Sequence, residues 1–123
     1  MDIPVISLRE LWEMIDKKRD YVLIDVREQH ELSHGMIPTA KCVPLSDFAE
    51  ALALSPEEFR QKYGFELSAE DNLIFYCRTG ARSEKATELA LQRGFVKARN
   101  YKGSAWEWHT VNPIVQRYGA PPL

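Results

Sequence analysis

Four strand-favouring residues in a row, Leu73-Ile74-Phe75-Tyr76, run directly into Cys77-Arg78-Thr79-Gly80-Ala81-Arg82-Ser83, and a helical pattern follows at once. A strand that hands its chain to a polar loop and then to a helix restricts the fold to architectures whose working residues gather at strand ends. Gly80 supplies backbone angles that other residues resist. Cys77 is therefore expected to end a strand. The amides of Arg78 to Ser83, unpaired at the start of the next helix, would curl around its sulfur. Those amides, with the charges of Arg78 and Arg82, favour the thiolate: thiols so placed titrate at roughly 3.5–7.5 instead of about 8.5. The competing reading is an inert cysteine beside a loop of solvated arginines.

The rest of the chain alternates between helical and strand patterns. Ser7-Leu8-Arg9-Glu10 is a capping box, and Leu8, Leu11, Trp12 and Ile15 predict a helix over 8–18 that Lys17, Lys18 and Arg19 close. Tyr21-Val22-Leu23-Ile24 reads as a strand buried on both faces, which sets Asp25 and Arg27 at its C-terminal end. A short helical segment follows, then a turn at Gly35 and Ile37-Pro38, then a brief strand over 41–43 stopped by Pro44. Ser46 is expected to start a helix carrying Phe48, Ala51 and Leu52. Ser55-Pro56-Glu57-Glu58 combines a cap, a first-position proline and a third-position glutamate, and Gly64 suits the helix's end, with Phe59 and Tyr63 inward. Beyond the Cys77 loop, Ala86, Leu89 and Ala90 share one face of a helix ending near Arg93 and Gly94. Phe95 to Tyr101 then supplies a final strand, Gly103 a turn, and Trp106 and Trp108 a last packed segment, while the tail from Tyr118 to Leu123 lies loosely on the surface. The alternation argues for an α/β fold, a mostly parallel sheet flanked by helices on both faces, with its site at the C-terminal ends of strands.

A chain of 123 residues suits one domain over 1–123. Sixteen basic and eighteen acidic side chains leave a formal net charge of −2, which argues against nucleic-acid or membrane-surface partners and leaves room for a local basic pocket. No apolar run approaches a membrane span, and the opening Met-Asp-Ile-Pro-Val-Ile has neither a basic n-region nor transit-peptide character. Cys42 and Cys77 do not make a secreted disulfide framework, so a reducing compartment is expected: the cytosol first, with the mitochondrion left open.

Asp25-Val26-Arg27-Glu28, then Gly35 with Ile37-Pro38, then Tyr76 through Ser83 together resemble the rhodanese-like sulfurtransferase family over nearly the whole chain. Asn100-Tyr101-Lys102-Gly103 with Trp108 is similar to the family's turn after its last strand, where Ser104 replaces a second glycine; Met36 stands where the family often has histidine. Residues 98–101 and 59–64 are most similar to the eukaryotic single-domain members that transfer sulfur from thiosulfate to glutathione. The resemblance implies a rhodanese-like fold and a thiosulfate sulfurtransferase. Cys77 attacks the outer sulfur of thiosulfate, sulfite leaves, and an acceptor such as glutathione, thioredoxin, another thiol or cyanide removes the sulfur from the resulting persulfide. It also implies that Arg78 and Arg82 hold the donor's sulfonate, Arg82 first, with Thr79, Gly80, Ala81 and Ser83 completing the loop. Asp25 and Arg27 brace the site, and neither metal nor organic cofactor is implied. Two arginines suit dianionic thiosulfate better than the single carboxylate of 3-mercaptopyruvate.

Other classes fit less well. A rhodanese-like binding or signalling module with little turnover has no need of the intact cysteine. Cysteine-dependent phosphatases and arsenate reductases carry arginine at the sixth position after the cysteine; here that position is Ser83, and Arg82 arrives one residue early. His30-Glu31-Leu32-Ser33-His34 formally matches the zinc-protease pattern, yet Gly35 and Pro38 end any helix there. Cys42 reads as a small core residue, and Trp106 and Trp108 as core closure.

Overall fold

Side chains along two neighbouring strands, β2 (Val22–Asp25) and β4 (Leu73–Tyr76), alternate between two apolar clusters. Ile24, Leu73 and Phe75 enter one; Leu23, Ile74 and Tyr76 enter the other. The structure is a computed structural model that describes residues 2–110, and the tail from Tyr118 onward lies outside the described residues. With β1 (Val5–Ile6), β3 (Lys41–Cys42) and β5 (Arg99–Tyr101), the strands form a five-stranded sheet in the order β1-β5-β4-β2-β3. Every pairing is parallel, so the expected mostly parallel sheet is wholly so. Helices α1 (Leu8–Asp16) and α5 (Ser104–Thr110) cover one face through Leu11, Ile15, Ala105 and Trp108. The other face receives α2 (Leu45–Ala53), α3 (Pro56–Tyr63) and α4 (Ala81–Gln92), which bury Phe48, Phe59, Ala86 and Ala90.

This strand order decides where a site can form. The chain leaving β2 goes on to β3 on one side, and the chain leaving β4 goes on to β5 on the other. The two connections part and open a crevice at the C-terminal ends of β2 and β4. Register pairs Asp25 with Tyr76, which delivers Asp25 and Cys77 to that crevice together.

The helix signals act locally as read. Ser7 Oγ accepts from the Glu10 amide at 3.1 Å and Ser55 Oγ from the Glu58 amide at 3.1 Å, each glutamate reaching back to its cap. Gly64 ends α3 in the left-handed region at φ +81°.

Several details differ from expectation. α1 stops at Asp16 because Lys18 turns left-handed at φ +51°, so the basic run lies beyond the helix. α2 begins at Leu45 with Pro44 as its cap, and the Ser46 hydroxyl goes to Glu28 Oε2 at 3.0 Å. β5 starts only at Arg99, since Val96 is 72% exposed and the segment before it turns. Trp108 is buried, but Trp106 on the same helix faces solvent at 56% exposure. β1 was not foreseen: two residues, with Val5 exposed, carry no pattern of their own, and they are strand only because β5 lies alongside.

Phe48 and Phe75 meet edge to face at 5.3 Å between ring centroids and join α2 to the central strand. Phe48→Ala should therefore cost roughly 3–5 kcal/mol in urea unfolding. A loss below about 1 kcal/mol would mean that the cluster closes over the gap.

Candidate active site

Cys77 is 1% exposed, and its sulfur sits inside the turn that joins β4 to α4. The Gly80 amide donates to Cys77 Sγ at 3.1 Å, and Ser83 Oγ lies 3.5 Å away. Gly80 is at φ +99°, and a Cβ there would press into the Lys102 carbonyl, so only glycine can aim this amide at the sulfur. Burial acts most strongly on the thiol and opposes its ionisation. The Ser83 hydroxyl and the amides of Ser83, Gly80 and Thr79 together outweigh it, and the thiol pKa falls below its ordinary value. Ser83 Oγ also donates to the Gly80 carbonyl at 3.2 Å, so its single proton can turn to the sulfur once the thiol proton has left.

The loop is anchored from outside by β5 and the first turn of α5. The Cys77 amide donates to Ser104 Oγ at 3.2 Å, Asn100 Nδ2 donates to the Gly80 carbonyl at 3.3 Å, and the Ala105 and Trp106 amides donate to the Cys77 and Arg78 carbonyls at 3.0 Å each. Ser104 and Asn100 are contacts that sequence reasoning missed. The departure of Ser104 from the glycine pair was the signal available for the first; nothing local marks the second.

Asp25 is fully buried and held by Arg27, with Nη2 to Oδ2 at 2.7 Å and the Arg27 amide to Oδ1 at 2.9 Å. Arg27 Nη2 also donates to the Gly35 carbonyl at 3.0 Å, and the guanidinium stands 5.8 Å from the centre of the Tyr76 ring. Burial acts against the Arg27 cation, yet the carboxylate of Asp25 raises its pKa. The pair thus closes on itself beneath the crevice.

Arg82 lies at the rim and is engaged by Glu31, Nη1 to Oε2 at 2.7 Å and Nη2 to Oε1 at 2.9 Å. The Arg82 hydrogen bond holds the Glu31 carboxyl well below the usual range, at about 2. Five guanidinium N–H groups less the two given to Glu31 leave donors that take no hydrogen-bond partner among the described residues and could face an anion. Arg78 is exposed and forms no ion pair among the described residues; Thr79 and Ala81 are also exposed, while Gly80 and Ser83 are buried. Glu31 is the acid of the zinc-protease pattern, and the structure gives it this different task. Residues 29–34 form a 3₁₀ helix, whose three-residue turn does not align positions four apart. Cys42 is half-buried, with Sγ 3.5 Å from the Arg27 carbonyl, and burial, reinforced by Asp25, pushes its thiol up to about 11.

A thiol cradled by main-chain amides at the crevice of a parallel sheet defines a class of cysteine-loop domains, and sequence comparison narrows it. Residues 7–110 match the Rhodanese-like domain, and the chain belongs to that family. It is 37% identical over 107 residues to the human thiosulfate:glutathione sulfurtransferase, covering 85% of this chain and 92% of that one. A mitochondrial relative in Schizosaccharomyces pombe is 44% identical over 88 residues, 71% of this chain and 62% of the relative's own length. The solved human single-domain sulfurtransferase TSTD1 superposes with a TM-score of 0.83 at 36% identity over 90% of this chain and 99% of that one.

Two pH effects follow. Cys77 should react with iodoacetamide along a pH curve whose midpoint lies below the roughly 8.5 of a free thiol, while Cys42 stays slow at neutral pH; peptide mass spectrometry distinguishes the two. A Cys77 midpoint at or above about 8.5 would show that the amides do not prevail over burial. Glu31 titrates at about 2 in the folded chain against about 4.3 unfolded, so its ion pair stabilises the fold above about 4.3 and loses that contribution as pH falls toward about 2. At the rim the pair is worth less than about 1 kcal/mol, and Glu31→Gln should flatten the decline of urea midpoints across that window.

Proposed function

We propose that this chain is a thiosulfate sulfurtransferase that passes sulfane sulfur to a small thiol of the glutathione type through a persulfide on Cys77. The observation that carries the reading is the Gly80 amide 3.1 Å from a buried Cys77 sulfur that Ser83 also faces. The Cys77 thiolate attacks the outer sulfur of thiosulfate and forms a new S–S bond. The donor's own S–S bond breaks, and its electron pair leaves with sulfite. An acceptor thiolate then attacks the outer sulfur of the persulfide; the Cys77 thiolate is the leaving group, and the acceptor departs as a persulfide. Thiolate and persulfide carry the same charge, so one ring of donors serves both.

Arg82 would meet the donor's sulfonate with the N–H groups that Glu31 does not use, and Arg78 would approach from solvent. Asp25 and Arg27 would hold the crevice without touching sulfur. The chemistry asks for no metal or organic cofactor. The names of relatives, thiosulfate:glutathione sulfurtransferase among them, support thiosulfate as donor and a glutathione-type acceptor; thioredoxin is the protein alternative. No helix among the described residues is long and apolar enough to cross a membrane. Two free thiols support a reducing compartment, the cytosol first; the mitochondrial name of the S. pombe relative makes fractionation of the full chain the deciding measurement.

Intact mass after incubation with thiosulfate should rise by one sulfur, fall back with glutathione, and stay unchanged in a folded Cys77→Ser variant. Sulfur gain by that variant would remove Cys77 from the mechanism. Arg82→Ala should raise the KM for thiosulfate about tenfold, the size of one lost charge-assisted hydrogen bond, with a smaller change in kcat. The ratio of kcat/KM values should favour thiosulfate over 3-mercaptopyruvate, and the reverse order would sink the assignment of the donor.

A further inference from the structure

Ser104 stands in a backbone conformation that its residue type resists. It lies at φ +56°, fully buried, at the first position of α5 directly after the turn that follows β5, where glycine would fit without strain. Strain of this kind persists where the side chain has work that glycine cannot do. The work here is specific. Ser104 Oγ donates its one proton to the Tyr101 carbonyl at 2.8 Å, which can only accept. Its lone pair therefore faces the Cys77 amide, which can only donate, at 3.2 Å. The hydroxyl is thus fixed in one orientation by its two partners.

We propose that Ser104 is a positioning residue for the nucleophile: its hydroxyl sets the plane of the peptide that enters Cys77, and through it the aim of Sγ at the loop's donors. This rests on Cys77 being the sulfur carrier. The Cys77 residue is held at both ends, its amide by Ser104 Oγ and its carbonyl by the Ala105 amide at 3.0 Å. The bond at its amide end comes from a side chain and can be deleted without touching the backbone. Without it a buried N–H loses its acceptor, and the peptide turns to find another. Cβ moves with that peptide, and Sγ moves away from the Gly80 amide and the Ser83 hydroxyl, 3.1 and 3.5 Å from it in the intact site. Those groups are the ones that hold the thiolate against burial, so a misplaced sulfur is a weaker acid.

Two substitutions separate this role from simple support of the fold. Ser104→Ala removes the hydroxyl and keeps the unfavourable φ; Ser104→Gly removes both. A structural role predicts that Gly is well tolerated and that neither variant alters the chemistry of sulfur. A positioning role predicts the same chemical defect in both, whatever their stabilities. The experiment is the pH dependence of iodoacetamide labelling at Cys77, read by peptide mass spectrometry, with Tm recorded alongside. The labelling midpoint is expected to rise by about half a pH unit or more in both variants. A smaller rise in either folded variant overturns the proposal, and Ser104→Gly carries the test alone if the alanine variant fails to fold. Labelling requires no turnover. A wild type that takes no sulfur from thiosulfate would refute the sulfurtransferase reading while leaving the Ser104 measurement to be judged separately.

Discussion

A buried thiolate survives only if the groups that solvate it are fixed before the charge forms, and that requirement governs the loop from Cys77 to Ser83. Water is excluded from the sulfur, so amides and one hydroxyl must replace it. Gly80 shows how closely the demands are stacked. Its amide points inward to sulfur, while its carbonyl accepts from Asn100, from Ser83 and from the Glu84 amide that begins α4. Its missing side chain lets the Lys102 carbonyl approach. Strand, loop, helix and the neighbouring β5 turn are thus coupled through a single residue. A disturbance of the β5–α5 connection reaches the sulfur without passing through solvent.

The charges around the site follow from the same need. An unpaired carboxylate near a buried thiolate would raise the thiol pKa, and Asp25 is close enough in register to do so. Its closed pair with Arg27 removes that penalty, and the spare Nη2 contact to Gly35 ties the pair to the connection after β2. Glu31 does for Arg82 what Arg27 does for Asp25, but at the rim, where the pair stays partly solvated. The resulting crevice has neutralised pairs around it and an exposed Arg78 that forms no ion pair among the described residues. Such a field would draw in an anion, as the proposed exchange of thiosulfate, sulfite and a thiol requires.

What the sequence made legible was local. The two capping boxes, the glycine at the end of α3, and the strand–loop–helix around Cys77 depend on residues within a few positions of one another. Contacts across the fold were illegible for the same physical reason. Glu31 and Arg82 are 51 residues apart, and Cys77 and Ser104 are 27 apart, so no short-range pattern records either meeting. β1 is a strand by virtue of its partner alone, and Phe95 to Lys97 failed to become one although the residues resemble strand formers, because the chain must turn there to leave α4. Family resemblance bridged part of this gap by placing Asp25, Arg27 and Cys77 in one site. It said nothing of what Ser104 does in place of a glycine.

The sixth position after the cysteine separates the chemistries that a loop of this kind can perform. In an arginine-bearing loop that position supplies a cation to a tetrahedral oxyanion. Here it is Ser83, buried, with its hydroxyl 3.5 Å from the sulfur. A neutral hydroxyl is matched to one additional sulfur atom, whose charge is single and diffuse. It is poorly matched to a doubly charged phosphoryl group, which needs more donors and more positive charge than Ser83 and three amides provide. Arg82, one residue earlier, is turned outward to Glu31, and in the proposed reaction it would meet the donor's distal oxygens at the rim instead of the atom being transferred. On the proposed reading the loop would divide its labour by depth: hydroxyl and amides for the sulfur that stays, arginines for the oxygens that leave.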